Sequence, residues 1–412
     1  MDYLKIDQVA ASWGISPRRL QTLCSQGKID GAVRFGRAWM IPKDAKKPVD
    51  GRTKASRVEP SSVDMPMPRK TPFLYMTNLY NEPGCSERAI ASLADNHEAQ
   101  TLLAAEMAYS RGDIDKVYES ANYLLHKHSG FYAVLAAGML LALCAIWRGD
   151  LSMWRKAKIH LSEANAKDDT DREIITLCIC AVDSRLYDVK EFPEWFRIGC
   201  FEFLHKDSLP AARVYYAKYL YAVGHGIASQ TMSLEGITGL SLMKLLPATI
   251  EPMISQAMAD NTVIAEIYLR LTCAVTYHYS KNDEQAIRHI DKALTLALPD
   301  RFYGILAEYC RTIGGLLELR IKAVDEAAWD EVNRLFKIFV ENWSKLNNSI
   351  TGRQIIANLS KQQREIARLA AFKLSDAEIG ARMHMSISGV KQAIRTIKQK
   401  SGLERDAFAA IL

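Results

Sequence analysis

The residues best equipped to engage a partner lie near the two ends of the chain. Toward the C-terminus, Ser386, Ser388, Lys391, Gln392, Arg395 and Lys398 supply hydroxyl, amide and cationic groups within 13 positions. Lys391, Arg395 and Lys398 fall at i, i+4 and i+7, which places them on one face of a helix. Val390, Ile394 and Ile397 repeat at the same spacing on another face. One apolar face and one basic face on a helix suit a rod that packs on its own domain and offers cations to phosphates and guanine edges. The predicted contact set here is Ser386, Ser388, Val390, Lys391, Gln392, Arg395 and Lys398. No phosphate-cradling GxxxxGK[ST], HExxH or GxSxG pattern occurs, so no catalytic residue, metal or cofactor is predicted.

Three helices must position that face. Ser360 caps the first, with Ile366, Leu369 and Ala370 inward. Ser375 caps the second, and Glu378 three residues later completes a capping box, with Ile379 and Met383 inward. A short turn at His384-Met385 leads to Ser386, the cap of the third. A short helix, a tight turn and a longer basic helix is the arrangement that places a recognition helix in the major groove.

This stretch resembles the LuxR-type helix-turn-helix family over about the last 55 residues. The match is carried by Leu359, Ser360, Glu365, Leu369, Leu374, Glu378, Ile379, Ser386, Val390, Lys391, Ile397, Lys400 and Gly402. The chain departs from the family at Gly389, where threonine is usual, at Ala393, where histidine is common, and at Lys373, where glycine is usual. The resemblance implies a fourth helix at 404–412 that often dimerises, with Phe408, Ile411 and Leu412 as its apolar surface.

A second basic module is predicted at residues 3–42. Asp7 caps a helix bearing Val9, Ala10 and Trp13, and Gly14-Ile15 forms a turn. Ser16-Pro17 is a strong start for a second helix. Leu20, Leu23 and Cys24 point inward, Arg18, Arg19 and Thr22 outward, and Gly27 closes it. Val33/Phe35 and Trp39/Ile41 alternate around Gly36-Arg37 as a hairpin burying four apolar residues. Arg18, Arg19, Arg34 and Arg37 are the predicted DNA contacts. The segments ISPRRLQTLCSQGKI and RFGRAWMIP resemble the MerR/excisionase-like winged-helix family, which implies a groove-reading helix and a phosphate-contacting wing. The same fold also serves protein contacts.

Charge follows this layout. The 412 residues carry a formal net charge of +6; residues 1–52 hold ten Lys/Arg against five Asp, residues 353–412 eleven Lys/Arg against five Asp/Glu, and the rest is net acidic. Basic ends around an acidic middle predict polyanion contact at the ends. Six of the 13 prolines lie between Pro42 and Pro72, a linker signature. From Phe73 to about Ser349 apolar residues recur at three- and four-residue spacing. The turns at 111–113, 148–150 and 281–283 separate aromatic-bearing helices (Ala105/Tyr109, Ala142/Trp147, Ala274/Tyr277) from partners with an inward alanine (Ala121, Ala157, Ala286). These hairpins resemble tetratricopeptide-type repeats with irregular spacing; an irregular helical bundle is the alternative.

The expected fold class is therefore mainly α. Its expected parts are a MerR-like module at 1–48, a Pro-rich linker at 49–72, a helical sensor or scaffold at 73–350 and a LuxR-type module at 355–412. The eight scattered cysteines predict reduced, buried thiols, and the apolar run Phe131–Trp147 a buried helix. Tyr215, Tyr216, Tyr219 and Tyr221 read as helix packing, with a ligand cleft among them as the other option. Gly224-His225-Gly226 follows a helical stretch, which argues against a dinucleotide loop, and His126 and His128 point ~200° apart on a helix, which argues against shared metal ligation. The function expected is a cytoplasmic transcription regulator that binds double-stranded DNA, as a homodimer, with RNA polymerase or another protein as further partner and no membrane. The alternative is a helical-repeat interaction scaffold whose end modules serve assembly.

Overall fold

A computed structural model describes residues 3–26, 28–29, 31–36, 38–43, 45, 47, 67–126, 129–228, 239–352, 355–356, 359–411. It divides into two compact units, Met1–Met65 and Pro66–Leu412, and is mainly helical. Gly27, Arg37, His128 and Leu412 lie outside the described residues.

In the first unit the order is β1 (Tyr3–Lys5), α1 (Ile6–Trp13), α2 (Pro17–Ser25), β2 (Val33–Phe35) and β3 (Ala38–Pro42). The strands form an antiparallel sheet ordered β1-β3-β2, with Leu4 opposite Ile41 and Arg34 opposite Trp39. Strand β1 is an addition to the predicted two-stranded hairpin. Asp7 sits inside the first turn of α1 rather than capping it; the Gln8 side chain accepts from the Lys5 amide instead. Ser16 does cap α2, accepting from the Arg19 amide at 3.3 Å, and Gly14 takes a left-handed conformation between the helices. Val9, Ala10, Leu20, Cys24, Ile29 and Ile41 make a small separate core. The hairpin does not bury four apolar residues, because Val33 and Phe35 are 46% and 82% exposed. They occupy the edge strand β2, and among the described residues none covers them.

The second unit is built from helices: α3 (Ser86–Ala91), α4 (His97–Arg111), α5 (Ile114–His126), α6 (Phe131–Arg148), α7 (Leu151–Ser162), α8 (Asp169–Ser184), α9 (Glu194–Arg197), α10 (Leu209–Ala228), α11 (Gly239–Ala259), α12 (Val263–Tyr279), α13 (Asp283–Ala297), α14 (Tyr303–Ile313), α15 (Gly315–Val324), α16 (Glu326–Thr351), α17 (Lys361–Ala371), α18 (Asp376–Met383) and α19 (Ile387–Ser401). A 3-10 turn at Arg405–Ile411 follows. The predicted hairpins are α4/α5, α6/α7 and α12/α13. Their turns use the expected chemistry: Gly112 and Gly149 are left-handed, and Asp150 and Asn282 cap the next helix. All six alanines at the hairpin seams are fully buried, since only a methyl group lets paired helices approach closely. Helix α6 has the length and apolarity to cross a bilayer, but 78% of it is buried inside the unit.

Helix α16 ties the hairpins together. Its Asn342 and Asn347 amides and the Trp343 indole donate to the carbonyls of Trp147, Leu186 and Arg185 at 2.8, 2.6 and 2.8 Å. Helix α14 crosses α4 where Gly304 meets Gly112; a Cβ on Gly304 would lie 2.6 Å from the Gly112 nitrogen. The start of the unit is anchored as well, with the Lys70 amide donating to Asp207 at 2.9 Å and Thr71 buried.

Candidate nucleic-acid interface and an interior cationic cavity

The C-terminal helices form as their caps specify. Ser360, Ser375 and Ser386 accept from the amides of Gln363, Glu378 and Gly389 at 3.1, 3.3 and 3.1 Å, the first two as full capping boxes. Ile366, Leu369, Ala370 and Ile379 are buried as expected, and Met383 is half-buried. The turn between α18 and α19 is tight: His384 is left-handed, and a Cβ on Gly380 would lie 2.8 Å from the Met385 carbonyl. Lys373, at the position where the resembled family has glycine, adopts φ 59°. This is a left-handed backbone conformation that favours glycine.

Helix α19 separates its faces. Val390, Ile394 and Ile397 are buried. Ser386, Ser388, Lys391, Gln392 and Arg395 are exposed, and among the described residues no acid pairs with Lys391 or Arg395. Lys398 is half-buried and ion-paired with Glu404. Val390 is a correction to the predicted contact set: it is fully buried, so its role is to hold the helix on the core. In the first unit Arg18 and Arg34 are exposed and Arg19 is half-buried. Arg37 lies outside the described residues.

The C-terminal helices share the core of the second unit. The Phe372 ring lies 4.4 Å from that of Tyr279 on α12, and the Arg364 guanidinium 5.3 Å from the Phe336 ring on α16. A buried polar network completes the contact. Arg368 of α17 contacts His278 Nε2 at 2.5 Å, donates to Glu365 and to the Thr312 carbonyl, and stands over the Tyr279 ring at 4.6 Å. His278 Nδ1 meets Asp283 at 2.7 Å, and Arg382 of α18 reaches the same carboxylate at 3.1 Å. Lys281 pairs with Glu378 at 2.9 Å. Although burial opposes ionisation, Arg368 and His278 hold the Glu365 carboxyl down at about 2. Phe408 and Ile411 are buried in this core, so they are not the free apolar surface that the family resemblance implied.

A second site lies where α4, α6, α10, α12, α14 and α16 converge. A cavity of about 70 Å³ is lined by Arg185, Lys218, Glu308 and Arg311 together with tyrosines and Trp343. Arg185 Nη1 donates to both Glu308 oxygens at 2.8 and 2.6 Å, and Tyr109 donates to the same carboxylate. The Lys218 ammonium stands 4.8 and 4.9 Å from the Tyr268 and Tyr309 ring centroids. Arg311 lies 4.0 Å from the Trp343 ring and donates to the Tyr187 hydroxyl at 2.6 Å. Burial, reinforced by Arg185 and opposed by Glu308, brings Lys218 down to about 7.

Of the four tyrosines singled out in the sequence, Tyr221 lines this cavity. Tyr215 packs beneath Arg185, and Tyr216 and Tyr219 pack among Phe196, Phe192 and Phe201. The sequence reading missed the cavity's cations. The available signal was a lone lysine inside the apolar run VYYAKYLYAV and the Glu308/Arg311 pair inside ILAEYCRTI. Glu251, Cys273 and His289 also bring ligand-type atoms within 4.8 Å of one another, and the sequence does not single them out. Of the cysteines Cys200 is exposed, contrary to expectation; the rest are buried and all are free. The Gly224–Gly226 segment lies inside α10, as its helical context implied. No family model, curated protein or solved structure matches this chain.

Proposed function

We propose that this protein is a cytoplasmic, sequence-specific transcription regulator that binds double-stranded DNA. In this reading α19 is the recognition helix of a LuxR-type module, the first unit is a MerR-like winged helix and the tetratricopeptide-like middle receives a signal. The observation that carries the reading is the division of α19: three aliphatic residues are buried, while Lys391 and Arg395 stand exposed on a capped helix with no paired acid among the described residues. An isolated basic face is usually a solvated one, but its placement after a capped helix and a tight left-handed turn is the geometry that groove readers use. Dimerisation through the last turn is not part of the proposal, because Phe408 and Ile411 are interior.

For the first unit a second reading has its own support. Phe35 and Val33 on the edge strand β2 are exposed apolar groups beside Arg34, a pattern that also suits a protein contact. Capture of genomic fragments by the full chain, followed by sequencing, tests the proposal. Enrichment of a discrete motif supports it; uniform recovery of fragments at physiological salt overturns it.

A further inference from the structure

We propose that the interior cavity of the second unit binds a compact organic anion. Its carboxylate or phosphate would sit against Lys218 and Arg311, and its apolar body against Val275, Phe339 and Trp343. Three cations line the cavity against one acid, Glu308, and that acid is committed to Arg185 and Tyr109. Among the described residues no acid pairs with Lys218. A charge held away from water without a partner is costly, so the arrangement is poised for a counter-ion from outside.

The polar groups without partners point the same way. Arg185 lines the cavity at 8% exposure, and its buried Nε and Nη2 have no hydrogen-bond acceptor among the described residues. The aromatic walls exclude the opposite class of ligand: rings that would recognise a cation already face Lys218, Arg185 and Arg311. Burial lowers the Lys218 ammonium toward neutrality, so an arriving anion favours its protonated form. The groups facing it are Arg185, Glu308, Tyr268 and Tyr309.

The cavity wall also reaches the C-terminal helices. Tyr221 meets Tyr279 hydroxyl to hydroxyl at 3.2 Å, and Tyr279 carries Arg368 over its ring. The Thr312 carbonyl accepts from Arg368, and Arg311 repels Arg364 of α17. An anion at Arg311 relieves that repulsion and favours the seated position of α17. Only this last step, a signal passed to a DNA reader, rests on the proposed function.

The test uses the whole 412-residue chain at pH 7, with benzoate, phenyl phosphate, inorganic phosphate, benzamide and benzylamine as probes at millimolar concentration. Thermal shift and calorimetry are the readouts. The expected result is stabilisation by benzoate or phenyl phosphate and none by the neutral or cationic probes. Calorimetry in buffers of different ionisation heat should show net proton uptake on anion binding. Lys218→Met should fold as well as the parent, bind the anion at least tenfold more weakly and abolish proton uptake; Lys244→Met on the surface should change neither. No stabilisation by either organic anion overturns the proposal, as does equal binding of benzamide or unchanged affinity in Lys218→Met. Inorganic phosphate binding as tightly as phenyl phosphate removes the apolar subsite and overturns the organic part. The test contains no DNA, so its failure and the failure of the DNA reading are separable.

Discussion

The two basic modules differ in what surrounds their cations. In the first unit a core of six buried residues supports α1, α2 and the sheet, and Arg18 and Arg34 face outward. In the C-terminal helices the basic residues divide into two populations. Arg368 and Arg382 are turned onto α12 and its turn through His278 and Asp283, while Lys391 and Arg395 are exposed. The same residue type therefore fastens a module to its body in one place and leaves a face open in another. Burial and paired acids make the difference. A count of positive charge sees both populations alike.

The largest effect that would break this comparison is expected at Arg368. Arg368→Met should destabilise the second unit by roughly 3–5 kcal/mol, because Glu365 is left buried beside His278 without its guanidinium. Denaturant unfolding followed by tryptophan fluorescence measures it; a loss under about 1 kcal/mol would place the arginine among the solvated ones. Acid should act on the same contact. The Glu365 carboxyl lies near 2 in the folded chain against an ordinary 4.5. Its stabilisation is present in full above 4.5 and is lost as pH falls from 4.5 toward 2. Asp283, also lowered, adds in the same sense. Stability of the parent should fall over that window more steeply than that of Glu365→Gln; parallel profiles would refute the assignment.

Much of this organisation was legible in the sequence, and the reasons are local. The serines at 16, 360, 375 and 386 announce helix starts because a side-chain oxygen must satisfy a free amide. The Gly-Asp and Asn-Asp turns announce the hairpins in the same way. Period-2 alternation does not predict burial at β2, where Val33 and Phe35 alternate but no layer among the described residues covers them. What stayed hidden was long-range. Nothing near Arg368 says that His278 will meet it, and nothing near Lys218 says that Glu308 will be spent on Arg185. Val390 is no contact because its face of the helix is the one that packs, and Phe408 is no free surface because this chain's own core covers it.

Smaller effects sharpen the contrast. Lys373 holds φ 59°, so Lys373→Gly should stabilise the C-terminal helices by up to about 1 kcal/mol by relieving left-handed strain. A destabilised variant in thermal unfolding would mean that the lysine side chain contributes more than its backbone costs. Phe35→Ser, on the uncovered strand of the first unit, should change stability by less than about 0.5 kcal/mol. A larger loss by circular dichroism would show that the ring is packed.

The central claim is that the open face of α19 reads DNA while its buried face only holds it in place. The most direct measurement is the affinity of Lys391→Ala and Arg395→Ala for the selected site, in the whole 412-residue chain, with melting temperature recorded beside it. The account predicts that each variant melts like the parent and binds that site more weakly by about 1–3 kcal/mol, with discrimination relaxed at the contacted base pair. Parent affinity in both variants, with folding intact, would contradict it.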